Sequence, residues 1–195
     1  KFNVEYIFGY SSSLESLALL AKKENIVNNT KLKVALCNAE PLYNNQRKVI
    51  SEVFNCDVRS TYGMSEIVAS ASECFEGNMH VWPEVGYLEI DKLKGGMDEF
   101  DQGIGKLYAT GLFNSDMPLI RYDTGDLISL EEPGKTCQCS RRLPMIKHIV
   151  GRQDDLIITP SGRRIGRLDP LFKSSFPIIE AQIVQENIST IRVRF

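Results

Sequence analysis

The sequence predicts an α/β unit, then a β-rich segment with the character of an antiparallel sheet or small β-barrel, then the start of a further domain. Three observations predict this. Residues 1–70 alternate helical and extended patterns; from residue 82 the texture changes to short strands separated by Gly and Asp; and at Gly151 a charged stretch, 151–155, leads into a Gly-containing turn at Ser161 and Gly162. The expected divisions are 1–80, 81–150 and 151–195.

Each element has a local cause. Ser12 and Glu15 stand at capping-box spacing, and Leu14, Leu17, Ala18 and Ala21 then recur on one helical face. Residues 32–37 form a short apolar run suited to a buried strand. Pro41 is placed to open a second helix, with Leu42, Gln46, Val49, Ile50 and Val53 on one face, and 57–61 is the next extended piece. A strand, a helix and a strand imply a parallel α/β unit, whose ligands sit at the carboxyl ends of the strands. The polar turns 38–40 and 62–66 fall at such ends. Further strands are expected at 85–90, 106–110 and 119–122.

Composition excludes several classes of function. Of 195 residues 43% are hydrophobic and 25% charged, and the net charge is -2, so there is no polycationic footprint for nucleic acid or an anionic membrane. No apolar run approaches the ~18 residues that span a bilayer, and the N-terminus lacks a signal-peptide layout, so the chain reads as cytoplasmic. Five cysteines, an odd number, do not suit a secreted disulfide framework; metal binding or plain burial fits better. The chain starts at Lys1 and stops in an apparent strand, as expected of a fragment of a longer protein.

Two motifs carry nucleotide chemistry. At 61–66 the sequence is TYGMSE, where an aromatic face suits adenine, glycine lets amides approach phosphate, and a carboxylate suits the oxygen-seeking Mg²⁺. At 119–126 it is LIRYDTGD, a strand expected to run into a tight turn whose last aspartate is able to accept hydrogen bonds from ribose hydroxyls. Taken singly, each also reads as ordinary turn chemistry.

Order and company decide between these readings. NAEPL at 38–42, TYGMSE, LIRYDTGD and GRQDDLIITPSGRRI at 151–165 follow one another as in the adenylate-forming superfamily of acyl-CoA synthetases, luciferases and peptide-synthetase adenylation domains. Within it the chain resembles phenylacetate-CoA ligase and the ligase-like proteins encoded with capsular polysaccharide genes, over nearly its whole length, including IFGYSSSL at 7–14 and EAQIVQ at 180–185. The resemblance implies the C-terminal portion of the large domain followed by the start of a small α+β domain. By the same resemblance, Glu40 and Pro41 border adenine, Tyr62 stacks on it, and Gly63 and Met64 line the acyl pocket. Ser65 contacts the α-phosphate, Glu66 holds Mg²⁺, Asp126 binds the ribose, Arg152 lies near ribose and phosphates, and Asp154 is the hinge. The implied reaction joins a small carboxylic acid to AMP from ATP and passes the acyl group to coenzyme A. The family's phosphate loop and catalytic lysine match no part of this chain, which is therefore expected not to catalyse adenylation alone. Transfer to an amine or sugar, and a non-catalytic nucleotide-binding module, are the alternatives.

Cys74, His80, Cys137 and Cys139 offer three thiolates and one imidazole, the donor set of structural Zn²⁺, although the spacing also admits ordinary buried cysteines. The polysaccharide-type relatives imply the zinc reading, with Ser140 standing where they carry glycine. Cys37 and Cys56 are expected in the core, and His148 in a strand. The basic residues Arg141, Arg142, Lys147, Arg163, Arg164 and Arg167 suit either phosphate or solvent.

Overall fold

Ala35, Cys37 and Val58 alternate with less buried neighbours along two strands, and Leu14, Ala18 and Ile50 supply the helical stripes that cover them. This packing drives the first of two compact units in the computed structural model, which describes residues 3–26, 31–92, 103–152, 156–162, 164–165 and 181–195. One unit comprises Lys1–Tyr87, Gly111–Leu119 and Glu132–Met145; the other comprises Leu88–Thr110, Ile120–Glu131 and Ile146–Phe195.

In the first unit the chain runs β1 (Tyr6–Tyr10), α1 (Ser11–Lys23), β2 (Val34–Asn38), α2 (Asn44–Phe54), β3 (Asp57–Gly63), β4 (Ser70–Glu73) and β5 (Met79–Val81). The strands lie in that order, with β1, β2 and β3 parallel and β3, β4 and β5 antiparallel. The expected parallel α/β unit is thus present. Strand β3 changes partner along its length: Asp57 to Ser60 pair with Val34 to Cys37 of β2, and Thr61 to Gly63 pair with Ser72 to Ser70 of β4.

Both helices start differently from the pattern-based expectation. The Ser12–Glu15 capping box does not form, because α1 begins at Ser11 after the extended Tyr10, Glu40 accepts the Ser12 amide at 2.9 Å, and Glu15 accepts from Gln46 at 2.8 Å. Leu17, counted on the apolar stripe, is 51% exposed. Helix α2 starts at Asn44 rather than at Pro41, since Tyr43 remains extended and its amide donates to the Gln46 side chain at 3.1 Å.

The second unit carries most of β6 (Gly86–Lys92), with β7 (Gly105–Gly111), β8 (Tyr122–Leu130) and β9 (Met145–Arg152), hydrogen-bonded in the order β9, β8, β7, β6. At Gly105 a Cβ would stand 2.4 Å from the Asp91 carbonyl oxygen, so only glycine allows this approach of β7 to β6. The strand expected at 119–122 instead begins at Tyr122 and contains DTGD. Lys106 and Tyr108, two residues apart on β7, face Leu127 and Asp123, four apart on β8, so the motif is a bulge within a strand and not a hairpin turn. Two short hairpins follow, β10 (Ile157–Ile158) with β11 (Arg164–Ile165), and β12 (Gln182–Asn187) with β13 (Thr190–Arg194). The Gln185 amide accepts from the Ile158 amide at 2.9 Å and donates to its carbonyl at 2.7 Å, standing in for a strand partner. Among the described residues no helix is long and apolar enough to cross a membrane.

Candidate functional site

β3 leaves β2 after Ser60, so these parallel strands take different partners at their carboxyl ends, the edge of an α/β sheet along which ligands are placed. The Thr61 hydroxyl spans the split, lying 3.2 Å from the Cys37 carbonyl and 3.3 Å from Asn38 Oδ1. On the β2 side the 38–41 loop turns through Ala39 at φ 60° and is tied to the start of α1 by the Glu40 carboxylate. An anion at a helix N-terminus is favourable, so Glu40 orients this loop, with the half-buried Pro41 following it.

On the β3 side Tyr62 is half-buried, Gly63 and Ser65 are exposed, and Met64 and Glu66 are half-buried. The turn closes with the Ile67 amide donating to the Met64 carbonyl at 3.1 Å, and Ile67 sits at φ 54°. A β-branched residue in the left-handed region is a backbone outlier of the kind that concentrates at binding sites. Beyond it Val68 is buried against Gly111, where a Cβ would come within 3.1 Å of Val68 Cγ1.

In the second unit the DTGD bulge organises itself. The Thr124 hydroxyl donates to the Leu107 carbonyl at 3.0 Å and accepts the Asp126 amide at 3.2 Å, while Asp123 accepts the Gly125 amide at 3.0 Å and Gly125 takes φ 72°. Asp126 faces Arg152 across β8 and β9, with 3.8 Å between carboxylate and guanidinium. The aspartate side chain is 14% exposed and the arginine 63%, so the cation lies at the surface beside a largely buried acid. Asp154, with Arg163 and Arg167, lies outside the described residues.

The four expected metal ligands converge. Cys74 follows β4, His80 lies on β5, and Cys137 and Cys139 lie in the 132–145 segment; their donor atoms all fall within 4.8 Å of one another. The Cys74 and Cys137 sulfurs are 3.7 Å apart and Cys139 Sγ is 3.3 Å from His80 Nε2. Tetrahedral Zn²⁺ with ~2.3 Å bonds to sulfur and ~2.0 Å to nitrogen places such pairs about 3.8 and 3.5 Å apart, so the geometry fits zinc. His80 is fully buried, and its Nδ1 has no hydrogen-bond partner among the described residues. The Cys139 amide above all, with other donors including Asn78, holds the Cys137 thiol down to about 6, whereas burial raises that of Cys139. Ser140 supplies the backbone that glycine was expected to provide, at φ 68°, with its amide donating to the Cys137 carbonyl at 3.1 Å.

Two further residues stand out in the structure that no sequence motif marked. Arg47 on α2 grips both oxygens of Glu73 at 2.9 and 3.0 Å and donates to the Val58 carbonyl, while Glu73, 8% exposed, accepts the Ser60 amide at 2.8 Å. They are 26 positions apart, so no local pattern joins them; a charged residue on the helix that packs against β3 is the nearest signal.

The fold defines a class first. Over 98% of its length the chain superposes on a crystal structure of 2-hydroxyisobutyryl-CoA ligase in the postadenylation state with R3-HIB-AMP, at a TM-score of 0.73 and 22% identity, covering 43% of that chain. It matches coronafacic acid ligase from Pectobacterium brasiliense over 96% at a TM-score of 0.54 and 19% identity, covering 38% of that chain. This is the fold of the adenylate-forming CoA ligases. No family model matches the chain. Its curated homologues are Protein CapK of Staphylococcus aureus, 28% identical over 99% of this chain, and phenylacetate-coenzyme A ligases, among them those of Thermus thermophilus (33% identical over 65%) and Aromatoleum evansii (35% over 66%). The chain spans 42% of CapK and 29% of each of these two ligases.

Proposed function

We propose that this chain is the nucleotide-contacting part of an ATP-dependent carboxylate ligase that forms an acyl-adenylate and passes the acyl group to coenzyme A. The observation that carries this is the parting of β2 and β3 to different partners at their carboxyl ends, with TYGMSE on the second of them, in a chain homologous to phenylacetate-CoA ligases. In such a reaction the substrate carboxylate attacks the α-phosphorus of ATP, pyrophosphate leaves, and the coenzyme A thiol then displaces AMP. Negative charge gathers on phosphate oxygens, so the protein's contribution is fixed donors and cations rather than covalent chemistry.

In this proposal Glu40 and Pro41 form the adenine-side wall, Tyr62 stacks on the base, and Gly63 leaves its amide accessible. Met64 borders the acyl group, Ser65 reaches the α-phosphate, and Glu66, a hard oxygen donor, holds Mg²⁺. Asp126 accepts the ribose hydroxyls, Arg152 stands by the phosphates, and Asp154 is the hinge that opens the small domain from Gly151. Cys74, His80, Cys137 and Cys139 hold a structural zinc that ties β4 and β5 to the 132–145 segment.

Calorimetric titration of AMP into the chain tests the nucleotide assignment. Saturable binding weakened about tenfold or more by Tyr62→Ala, and separately by Asp126→Ala, is expected, roughly 1.4 kcal/mol each. Binding unchanged by both substitutions would overturn the assignment of these residues.

A further inference from the structure

We propose that Arg47 and Glu73 are positioning residues for the turn at 62–66, a largely buried ion pair that fixes the point where β3 parts from β2; the ligand of that turn rests on the nucleotide reading above. Ser60 is the last β3 residue paired with β2, and Thr61 the first paired with β4. A strand that changes partner leaves backbone groups at the joint without a continuous ladder, and buried groups of this kind require other partners. The ion pair supplies them on the stretch of β3 that leads into the joint. Glu73, the last residue of β4, accepts the Ser60 amide at 2.8 Å, and Arg47 donates to the Val58 carbonyl.

Arg47 divides its guanidinium fork between the two, Nη1 donating to the Val58 carbonyl and Nη2 lying 2.9 and 3.0 Å from the two Glu73 oxygens, so the carboxylate is held in place beside β3. Removing Arg47 strands the buried Glu73 carboxylate without its cation, which couples the pair to the placement of β3. Tyr62, two residues beyond Ser60, is still in β3, and the turn closed by Met64 and Ile67 follows directly after it. A shift of the joint is therefore delivered almost undiminished to the aromatic ring and to Glu66. Cys74 is the next residue after Glu73, which links the same joint to the cysteine and histidine cluster.

The test uses the 195-residue chain loaded with zinc. Glu73→Gln keeps an acceptor for Ser60 but discharges the pair, and Arg47→Lys keeps a cation but loses the fork. Amide hydrogen exchange is followed together with AMP titration. A positioning role predicts that Glu73→Gln speeds exchange about tenfold at 60–66 while α1 and β1 keep wild-type protection, and weakens AMP about tenfold, with Arg47→Lys giving a smaller change in the same places. Faster exchange spread evenly over the first unit, or unchanged AMP affinity in both variants of a chain that binds AMP, would overturn the proposal. If the unsubstituted chain binds no AMP, the nucleotide reading falls; exchange confined to 60–66 then still supports the clamp, and evenly spread exchange still overturns it. Should Glu73→Gln not fold, Arg47→Lys is read by the same criteria.

Discussion

Replacing Cys137 by serine removes one of the four side chains proposed to hold zinc. The Cys74 and Cys137 sulfurs are 3.7 Å apart, and the full set lies within 4.8 Å, so metal binding needs little rearrangement of the folded chain. A ligand that binds only the folded state stabilises by ~4 kcal/mol when its free concentration is about 1,000 times its Kd. For a chain of this size each kcal/mol moves the melting temperature by roughly 2–4 °C, so zinc is expected to raise the transition of the first unit by about 8–16 °C. Cys137→Ser and chelator-treated wild type should both lose that increment, and elemental analysis should find one zinc per wild-type chain. Scanning calorimetry with matched chelated and zinc-replete samples measures it. Absence of metal, freely reacting thiols at Cys74, Cys137 and Cys139 and a transition that moves by less than about 2 °C on chelation would refute the zinc site.

Other expected outcomes are independent of the metal. Ser140 at φ 68° carries the ~1–2 kcal/mol cost of a left-handed non-glycine residue, so Ser140→Gly should stabilise by up to about 1 kcal/mol after glycine's greater unfolded-state entropy is deducted, as read from urea midpoints. Ile67→Gly should relieve larger strain at φ 54° yet loosen the turn, giving an unchanged or higher urea midpoint together with faster amide exchange at 64–67. Burial, aided by Lys147, lowers the pKa of His148, so the unfolded chain takes up a proton as pH falls through about 6.5 while the folded chain resists it. Stability should therefore drop between pH 7.5 and 5.5, and His148→Gln should flatten that part of the urea-midpoint profile.

The parallel unit was legible because Ala35, Cys37 and Val58 alternate along strands and Leu14, Ala18 and Ile50 follow helical spacing, so pattern and packing agree. Helix starts were less legible, since one is served by a partner distant in sequence and the other by a local pair whose capping residue is a tyrosine. Glu40 and not Glu15 serves the start of α1, and the expectation at Pro41 failed because Tyr43 stays extended and pairs with Gln46. The DTGD segment carries turn residues, but Thr124 bonds the Leu107 carbonyl on the facing strand, and that long-range contact converts a turn signal into a bulge. Residue type announced the four candidate zinc ligands, while their irregular spacing left their convergence open until β4 and β5 placed Cys74 near His80. The Arg47–Glu73 pair had no linear signature, because its meaning lies in the change of partner by β3.

The most direct measurement is competition between AMP and a phenylacetyl sulfamoyl-adenosine, a stable mimic of an acyl-adenylate, for the 195-residue chain. A site built for adenylation, with Met64 beside the acyl group, should bind the mimic at least about tenfold more tightly than AMP and lose that preference in Tyr62→Ala. Equal affinity for the two, or no binding of either, would contradict the assignment.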